Sequence, residues 1–294
     1  MSERVGFLGL GVMGRPMAEN LARTFEVVGF DTRAARLEGL AGVKAAQNLE
    51  DLARACPVIC LSLPSAAIVE DVVLGQGGIL PALRQGALVI DLSTSLPAVS
   101  RRIAVRLAER GGEFADAPVS GGEEGARSAN LAIMVGAAPA TFERCRPILS
   151  ALGRSVVRVG EVGAGNLAKL VNNMIVGSTF AVIAEGFGLA ARNGVDPQSL
   201  YQAIRDGWAG SKVLDVSARE IATRRYVPGG TIDMLQKDLS YARGVAAECR
   251  SPAPMTAAAH ELFVAGQAEG RGAESQAALF ELWALRGGGG KRTP

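Results

Sequence analysis

Val5-Gly6-Phe7-Leu8-Gly9-Leu10-Gly11-Val12-Met13-Gly14 sets a short apolar run directly before the spacing G-x-G-x-x-G, and residues 13–23 continue with apolar side chains at helical spacing. The pattern is that of a strand, a tight turn and a helix in immediate succession. In such a unit the first glycine permits the turn, the second lets backbone approach a pyrophosphate, and the third allows the helix to pack closely. The first N–H groups of the helix offer a site for the anion. Among 37 glycines the spacing alone arises easily by chance. The strand before it and the helix after it are what make Gly9, Leu10, Gly11, Val12, Met13 and Gly14 a candidate dinucleotide loop.

The next apolar run, residues 27–30, ends at Asp31, twenty residues beyond Gly11. A carboxylate at that point can accept hydrogen bonds from an adenosine ribose, which favours NAD. It would repel a 2′-phosphate, although Arg33 partly compensates, so NADP stays as the alternative. Asp31 or Thr32 would serve equally as the cap of a following helix. Further strands are expected at 58–63, 88–91, 114–117, 132–135 and 156–159, separated by helical stretches such as 99–110 and 140–152. Alternation of this kind implies a parallel-rich α/β sheet. Ligands bind beyond the carboxyl ends of such strands, which draws attention to Leu63-Pro64-Ser65 and to Asp91-Leu92-Ser93-Thr94. Ser65 and Thr94 are also ordinary helix-capping types.

After Gly163 the strand pattern stops, and the chain to about residue 286 reads as helix broken at Asn193-Gly194, Asp196-Pro197, Pro228-Gly229-Gly230 and Ser251-Pro252. Residues 165–192 hold no proline and are apolar nearly all round, as in a buried helix roughly 40 Å long. Asn172, Asn173 and Glu185 interrupt the apolar run below the roughly 18 residues that a membrane span requires. The expected organisation is a dinucleotide-binding domain over 1–163, a long interdomain helix over 164–192, a helical substrate and oligomerisation domain over 193–286, and a disordered tail over 287–294.

Composition narrows the chemistry. The net charge is +2, from 31 basic and 29 acidic residues with no block of like charge, so neither nucleic acid nor an anionic membrane is an expected partner. Four cysteines with no CxxC pair, and an N-terminus with no signal-peptide pattern, fit reduced thiols in the cytoplasm. His260 is the single histidine, which argues against paired-histidine metal sites and Ser-His-Asp triads. Acid–base work then falls to lysine, a carboxylate, tyrosine or cysteine.

Two later segments bear on that work. In Asp116-Ala117-Pro118-Val119-Ser120-Gly121-Gly122, glycines after a serine leave backbone N–H groups able to converge on a carboxylate, although a plain turn would use glycines too. In Gly163-Ala164-Gly165-Asn166-Leu167-Ala168-Lys169-Leu170-Val171-Asn172-Asn173, Lys169 and Asn173 lie four apart, on one face of a helix. A buried lysine is costly without a partner or a task, and desolvation lowers its pKa toward neutrality. Position alone does not separate that reading from an exposed lysine at a helix start.

Taken together, G-x-G-x-x-G, Asp-Leu-Ser-Thr, Asp-Ala-Pro-Val-Ser-Gly-Gly, Gly-x-Gly-x-x-x-Lys-x-x-x-Asn and Lys237-Asp238-Leu239 resemble the β-hydroxyacid dehydrogenases, over residues 4 to about 285. The resemblance implies a Rossmann-type doubly wound domain followed by an all-helical domain, an active site between them, NAD or NADP as cofactor and a homodimer or homotetramer. It implies Lys169 as the catalytic lysine, Ser120, Gly121, Gly122 and Asn173 as substrate contacts, Lys237 near substrate and nicotinamide, and Leu63, Pro64 and Thr94 as cofactor contacts. Segments 201–205, 209–215 and 163–166 are most similar to the tartronate semialdehyde reductases of that family, with the 3-hydroxyisobutyrate dehydrogenases as alternative. Imine reductases replace the lysine, and a non-catalytic dinucleotide module would have no need of Lys169 and Asn173 together. The chain departs from the family pattern at Ala129 and Ala137, where glycine is usual, and at Trp208.

Overall fold

The computed structural model describes residues 4–227 and 229–283; the tail expected at 287–294 lies outside them. The chain divides into two compact units, Met1–Leu170 and Val171–Pro294.

The first unit alternates strands with helices in the order β1 Arg4–Leu8, α1 Gly14–Leu21, β2 Glu26–Phe30, β3 Val43–Ala45, α2 Leu49–Ala55, β4 Val58–Leu61, α3 Ala66–Leu74, β5 Leu88–Asp91, α4 Pro97–Ala108 and β6 Glu113–Asp116. It continues through β7 Val119–Ser120, α5 Gly122–Arg127, β8 Leu131–Gly136, α6 Pro139–Ser150 and β9 Gly153–Gly160 to the start of α7 Ala164–Arg192. Among the described residues the sheet has nine strands in the order β3-β2-β1-β4-β5-β6-β8-β7, with β9 beside β8. From β3 to β6 all pairings are parallel, and β8 meets β6 and β7 antiparallel. Strand order reverses direction at β1, with β2 on one side and β4 on the other, the switch point at which α/β sheets form a crevice for ligands.

The central strands are apolar end to end because helices cover both faces. Val58-Ile59-Cys60-Leu61 and Leu88-Val89-Ile90 are wholly buried, and on one face of the sheet Val58, Cys60, Leu88 and Ile90 join Val5, Phe7, Met17 and Leu21 in a continuous interior. Each such side chain, fully buried, contributes roughly 1.5–3 kcal/mol before chain entropy is set against it. Strand β4 stops at Leu61, two residues earlier than expected, because Leu63 N leaves the ladder to donate to the Ser93 hydroxyl at 2.8 Å. The short strands β3 and β7 give no periodic signal in the sequence; pairing with β2 and β8 makes them strands. Ser65 does cap α3, accepting from Ile68 N, whereas α4 begins at Pro97 and takes no cap from Thr94.

Of the two alanines that stand where glycine is usual, Ala137 is fully buried without positive φ, whereas Ala129 sits at φ +51° in the turn before β8. Its Cβ makes that left-handed conformation unfavourable by roughly 1–2 kcal/mol. Ala129→Gly is therefore expected to raise the stability of the first unit by about 1 kcal/mol, part of the relief being returned through the freer unfolded chain; chemical denaturation of the two proteins side by side measures it.

The second unit contains the remainder of α7, α8 Pro197–Ile204, α9 Lys212–Thr223, α10 Ile232–Glu248, α11 Pro254–Ala268 and a 3-10 turn at Gln276–Leu282. Phe180, Ala184 and Phe187 of α7 pack with Leu214 and Ile221 of α9, Leu235 and Leu239 of α10, and Phe263 of α11. By length and composition α7 would suffice to cross a membrane. One face of α7 packs in this interior, while Ile175, Val182 and Leu189 on another are exposed, so the helix is buried on one side and not all round as expected. Glu281 accepts from Arg224 and from the Tyr226 hydroxyl, which fixes the last described turn to the end of α9. The four cysteines are unpaired thiols, and burial pushes those of Cys56, Cys60 and Cys145 upward, away from reactive thiolate.

Candidate active site

Gly9 takes φ +91° and donates its N–H to the Phe30 carbonyl at 3.0 Å, turning the chain off the end of β1. A Cβ on Gly14 would overlap the Gly9 carbonyl oxygen and crowd the Phe7 ring at 3.2 Å, so the third glycine is required by the packing of α1. Gly11 differs. The nearest atom to a Cβ there is the Arg36 guanidinium at 3.7 Å, so no packing within the chain calls for glycine. An open backbone at this point, with Val12 exposed and Met13 half-buried beside it, fits the close approach of a pyrophosphate.

Asp31 directly follows β2 and is buried. Its Oδ2 accepts from Leu10 N at 2.8 Å and from Arg36 at 3.1 Å, and its Oδ1 from Arg33 N at 2.9 Å. Burial pushes the carboxyl up, but the hydrogen bonds from Arg33, Leu10 and Arg36 outweigh it and hold Asp31 below the usual carboxylate range. Asp31 thus stays charged, ties the glycine loop to β2 and turns the chain at Arg33; neither it nor Thr32 caps a helix, because the 3-10 turn Ala34–Arg36 begins after Arg33 and takes no side-chain cap.

From this loop a line of short contacts crosses the carboxyl ends of the strands. A Cβ on Gly9 would meet the Ser62 carbonyl and, at 3.0 Å, Leu63. Leu63 N donates to Ser93, whose own N–H donates to Asp91 at 3.0 Å. Ser95, one residue past Thr94, donates its N–H to the Asn166 side chain at 2.8 Å, and the Asn166 amide donates to Ser100 at 3.0 Å. The Asp116 carboxylate at the end of β6 accepts from Gly163 N and Asn166 N, each at 2.7 Å. Lys169 follows Asn166 by three residues on α7 and is 9% exposed. Candidate residues Gly9–Gly14, Asp31, Leu63, Thr94 and Lys169 are in this way held to one set of strand ends; Pro64 lies exposed at the end of the same turn.

Ser120 is half-buried at the end of β7, and Gly121 and Gly122 are exposed, with φ of +141° and +63°. In the second unit Asn173 is 6% exposed, donates to Asp238 at 2.6 Å and accepts from Asn172 at 2.9 Å. Lys237 pairs with Asp238 at 3.0 Å and stands 5.3 Å over the Tyr241 ring. Asp238 therefore sets the orientation of both Asn173 and Lys237, a role that sequence reasoning missed although the residue was part of a quoted motif. Ser93, Ser95, Asn166 and Asp116 were missed as well. Their one signal was polar side chains concentrated just past strand ends in a chain whose strands are otherwise apolar.

Residues 4–160 match the family model of the NAD binding domain of 6-phosphogluconate dehydrogenase, and residues 163–283 that of the NAD-binding of NADP-dependent 3-hydroxyisobutyrate dehydrogenase. The chain belongs to the β-hydroxyacid dehydrogenase family. It is an NAD(P)-dependent oxidoreductase acting on CH–OH groups. The 2-(hydroxymethyl)glutarate dehydrogenase of Eubacterium barkeri is 37% identical, over 96% of this chain and 95% of the relative. The 2-hydroxy-3-oxopropionate reductase of Escherichia coli K12 is 35% identical, over 96% and 97%. Among solved structures, the 3-hydroxyisobutyrate dehydrogenase of Mycobacterium tuberculosis with L-serine has a TM-score of 0.87 at 30% identity, covering 97% of this chain and 100% of that one. As a member of the family, this β-hydroxyacid dehydrogenase has small hydroxy acids as its kind of substrate.

Proposed function

We propose that this β-hydroxyacid dehydrogenase reduces a short semialdehyde acid, or oxidises the matching β-hydroxy acid, with 2-hydroxy-3-oxopropionate as the leading substrate and 3-hydroxyisobutyrate as the alternative. The observation that carries the reading is the row of close contacts over the strand ends, from the glycine loop past Leu63, Ser93 and Ser95 to the first turns of α7, where Lys169 is buried. The substrates named in the relatives reported above share a three-carbon acid unit oxidised or reduced at the carbon farthest from the carboxylate. They differ in what hangs from the middle carbon.

Gly9–Gly14, Asp31, Leu63, Pro64 and Thr94 would hold the dinucleotide, whose nicotinamide supplies or accepts the hydride. Lys169, as an ammonium, gives a proton to the carbonyl oxygen in reduction and, as an amine, takes the hydroxyl proton in oxidation. Ser120 and the backbone of Gly121 and Gly122 bind the substrate carboxylate. An amide has two N–H donors; Asp238 takes one from Asn173 and thereby turns the group toward a ligand. Lys237 adds positive charge for the carboxylate while Asp238 restrains its ammonium. The exposed row Ile175, Val182 and Leu189 on α7 supports self-association through the second unit, and the unpaired thiols support a cytoplasmic setting.

The test is a panel of D-glycerate, 3-hydroxyisobutyrate, 4-hydroxybutyrate, L-threonate and serine, each with NAD and NADP. Turnover of none of them sinks the reading. The charged Asp31 favours NAD: kcat/KM with NAD is expected to exceed that with NADP by at least about tenfold, some 1.4 kcal/mol. Asp31→Ser, which removes the repelling carboxylate and releases the Arg36 guanidinium toward a 2′-phosphate, should narrow the ratio. A wild-type preference for NADP would show that the arginines, and not the carboxylate, govern the choice.

A further inference from the structure

We propose that Asp116 is the positioning residue for Lys169: by accepting the N–H groups of Gly163 and Asn166 it fixes the first turn of α7, and with it the lysine one turn on. The inference rests on the reading of Lys169 as proton donor. Both carboxylate oxygens are committed, Oδ1 to Gly163 N and Oδ2 to Asn166 N, each at 2.7 Å. The side chain is fully buried. The backbone is close-packed around this seat, since a Cβ on Gly165 would overlap the Asp116 carbonyl and a Cβ on Gly136 would come within 2.5 Å of Asp116 Oδ1. Asn166 adds the side tie, through Ser95 N and the Ser100 hydroxyl.

The ionised carboxylate meets the two N–H donors best, with a charged acceptor oxygen for each; a carboxylic acid offers one of them a weak hydroxyl acceptor, and an amide offers it none. Burial pushes Asp116 up to about 6, while the N–H groups of Gly163, Asn166 and Asp116 itself, and the charge of Arg101 on α4, pull it down. Charged groups on the packed elements also include Asp91, in register with Asp116 on β5, Glu113 on β6 with Arg144 beside it on α6, Glu143 and Arg146 on α6, Arg102 and Arg106 on α4, Arg158 and Glu161 around the end of β9, and Lys169 along α7. The competent, ionised form predominates above about pH 6, is half populated there and is lost as pH falls through it. Stability runs the other way. A carboxyl whose pKa is higher folded than unfolded makes the fold less stable as pH rises from about 4 to 6. Activity and stability are thus expected to move in opposite directions across that window, which a purely structural cap would not produce.

The reduction direction exposes the effect, because Lys169 must be protonated there and cannot itself cause an acid-side loss. Expected for wild type is a kcat that falls below pH 6 with little change in KM. Asp116→Asn, a permanent stand-in for the protonated acid, is expected to lower kcat at pH 8 by roughly tenfold to a hundredfold, to lack the limb near pH 6, and to bind NADH as wild type does, since the glycine loop and Asp31 lie on other strands. The pH dependence of Tm over 4–6 should be steeper downward in wild type than in the variant. A wild-type kcat that is flat from pH 5 to 8, or an Asp116→Asn enzyme that keeps the limb, overturns the inference. Should the variant not fold, the wild-type profile decides, together with the Gly163 and Asn166 amide resonances, which must titrate near 6. Failure of the underlying reading looks different: Lys169→Ala would then retain its kcat.

Discussion

Lys169→Ala is expected to lower kcat by about 10²- to 10⁴-fold, the usual contribution of a positioned acid–base group, while the Kd for NADH stays within about twofold of wild type, too small a change to register as a lost contact. Lys169 is nearly buried on α7, three residues past an asparagine that is itself fixed by three hydrogen bonds. Its ammonium is thus delivered from a rigid base, and water does not readily take its place. Loss of a group that acts only in the proton-transfer step should reduce kcat and kcat/KM together, whereas loss of a substrate contact would raise KM alone. Lys169→Arg keeps the charge, but its pKa lies too high for it to serve as a base. That variant should be as inactive in oxidation as Lys169→Ala. Wild-type kcat in Lys169→Ala, measured on a substrate that the wild type turns over, would remove the lysine from the chemistry.

Gly165→Ala should disrupt the seat of α7 on the sheet. An added Cβ would overlap the Asp116 carbonyl, lie 2.5 Å from the Met134 carbonyl and 2.8 Å from Gly136 N, all of them backbone atoms in or beside the sheet. Side chains can swing aside; strand backbone cannot, so α7 must lift off the strand ends. Alanine contributes about 1 kcal/mol of helix propensity over glycine, which the clash must exceed. Overpacking costs typically 1–3 kcal/mol, occasionally more, and an obstacle made wholly of backbone argues for the upper end. A net loss of about 2 kcal/mol corresponds to a fall in Tm of about 4–8 °C in a unit of this size. Activity should fall further than stability, because the displaced turn carries Asn166 and Lys169. Gly244→Ala on α10 is the matched control: its Cβ would meet nothing within 4 Å, so only the propensity gain remains and stability should rise by about 1 kcal/mol. Equal effects of the two substitutions would mean that the seat of α7 is not close-packed.

How much of this was legible beforehand differs from residue to residue. The glycine loop and Asp31 could be read because their requirements are local: a turn, a helix start and a strand end within some thirty residues of one another. β3 and β7 could not, since two or three residues carry no period and owe their strand character to neighbours. The division of the chain also falls inside α7, between Leu170 and Val171. An unbroken helical sequence hides such a boundary, because what assigns the first two turns to the sheet is the docking of Gly165 and Asn166 on β6, β8 and the loop after β5.

The sequence by itself determined the glycine-loop strand and helix, the α/β-then-helical order, and the candidates Asp31, Lys169 and Asn173, all of which follow from periodicity, turn chemistry or motif spacing along one stretch of chain. Only the tertiary structure decided why those candidates are held where they are. Asp116 meets Gly163 and Asn166 across about fifty positions of sequence, Ser95 meets Asn166 across 71, and Asp238 meets Asn173 across 65. A buried polar side chain must be satisfied by whatever the fold brings to it, and a partner that distant leaves no trace in local spacing.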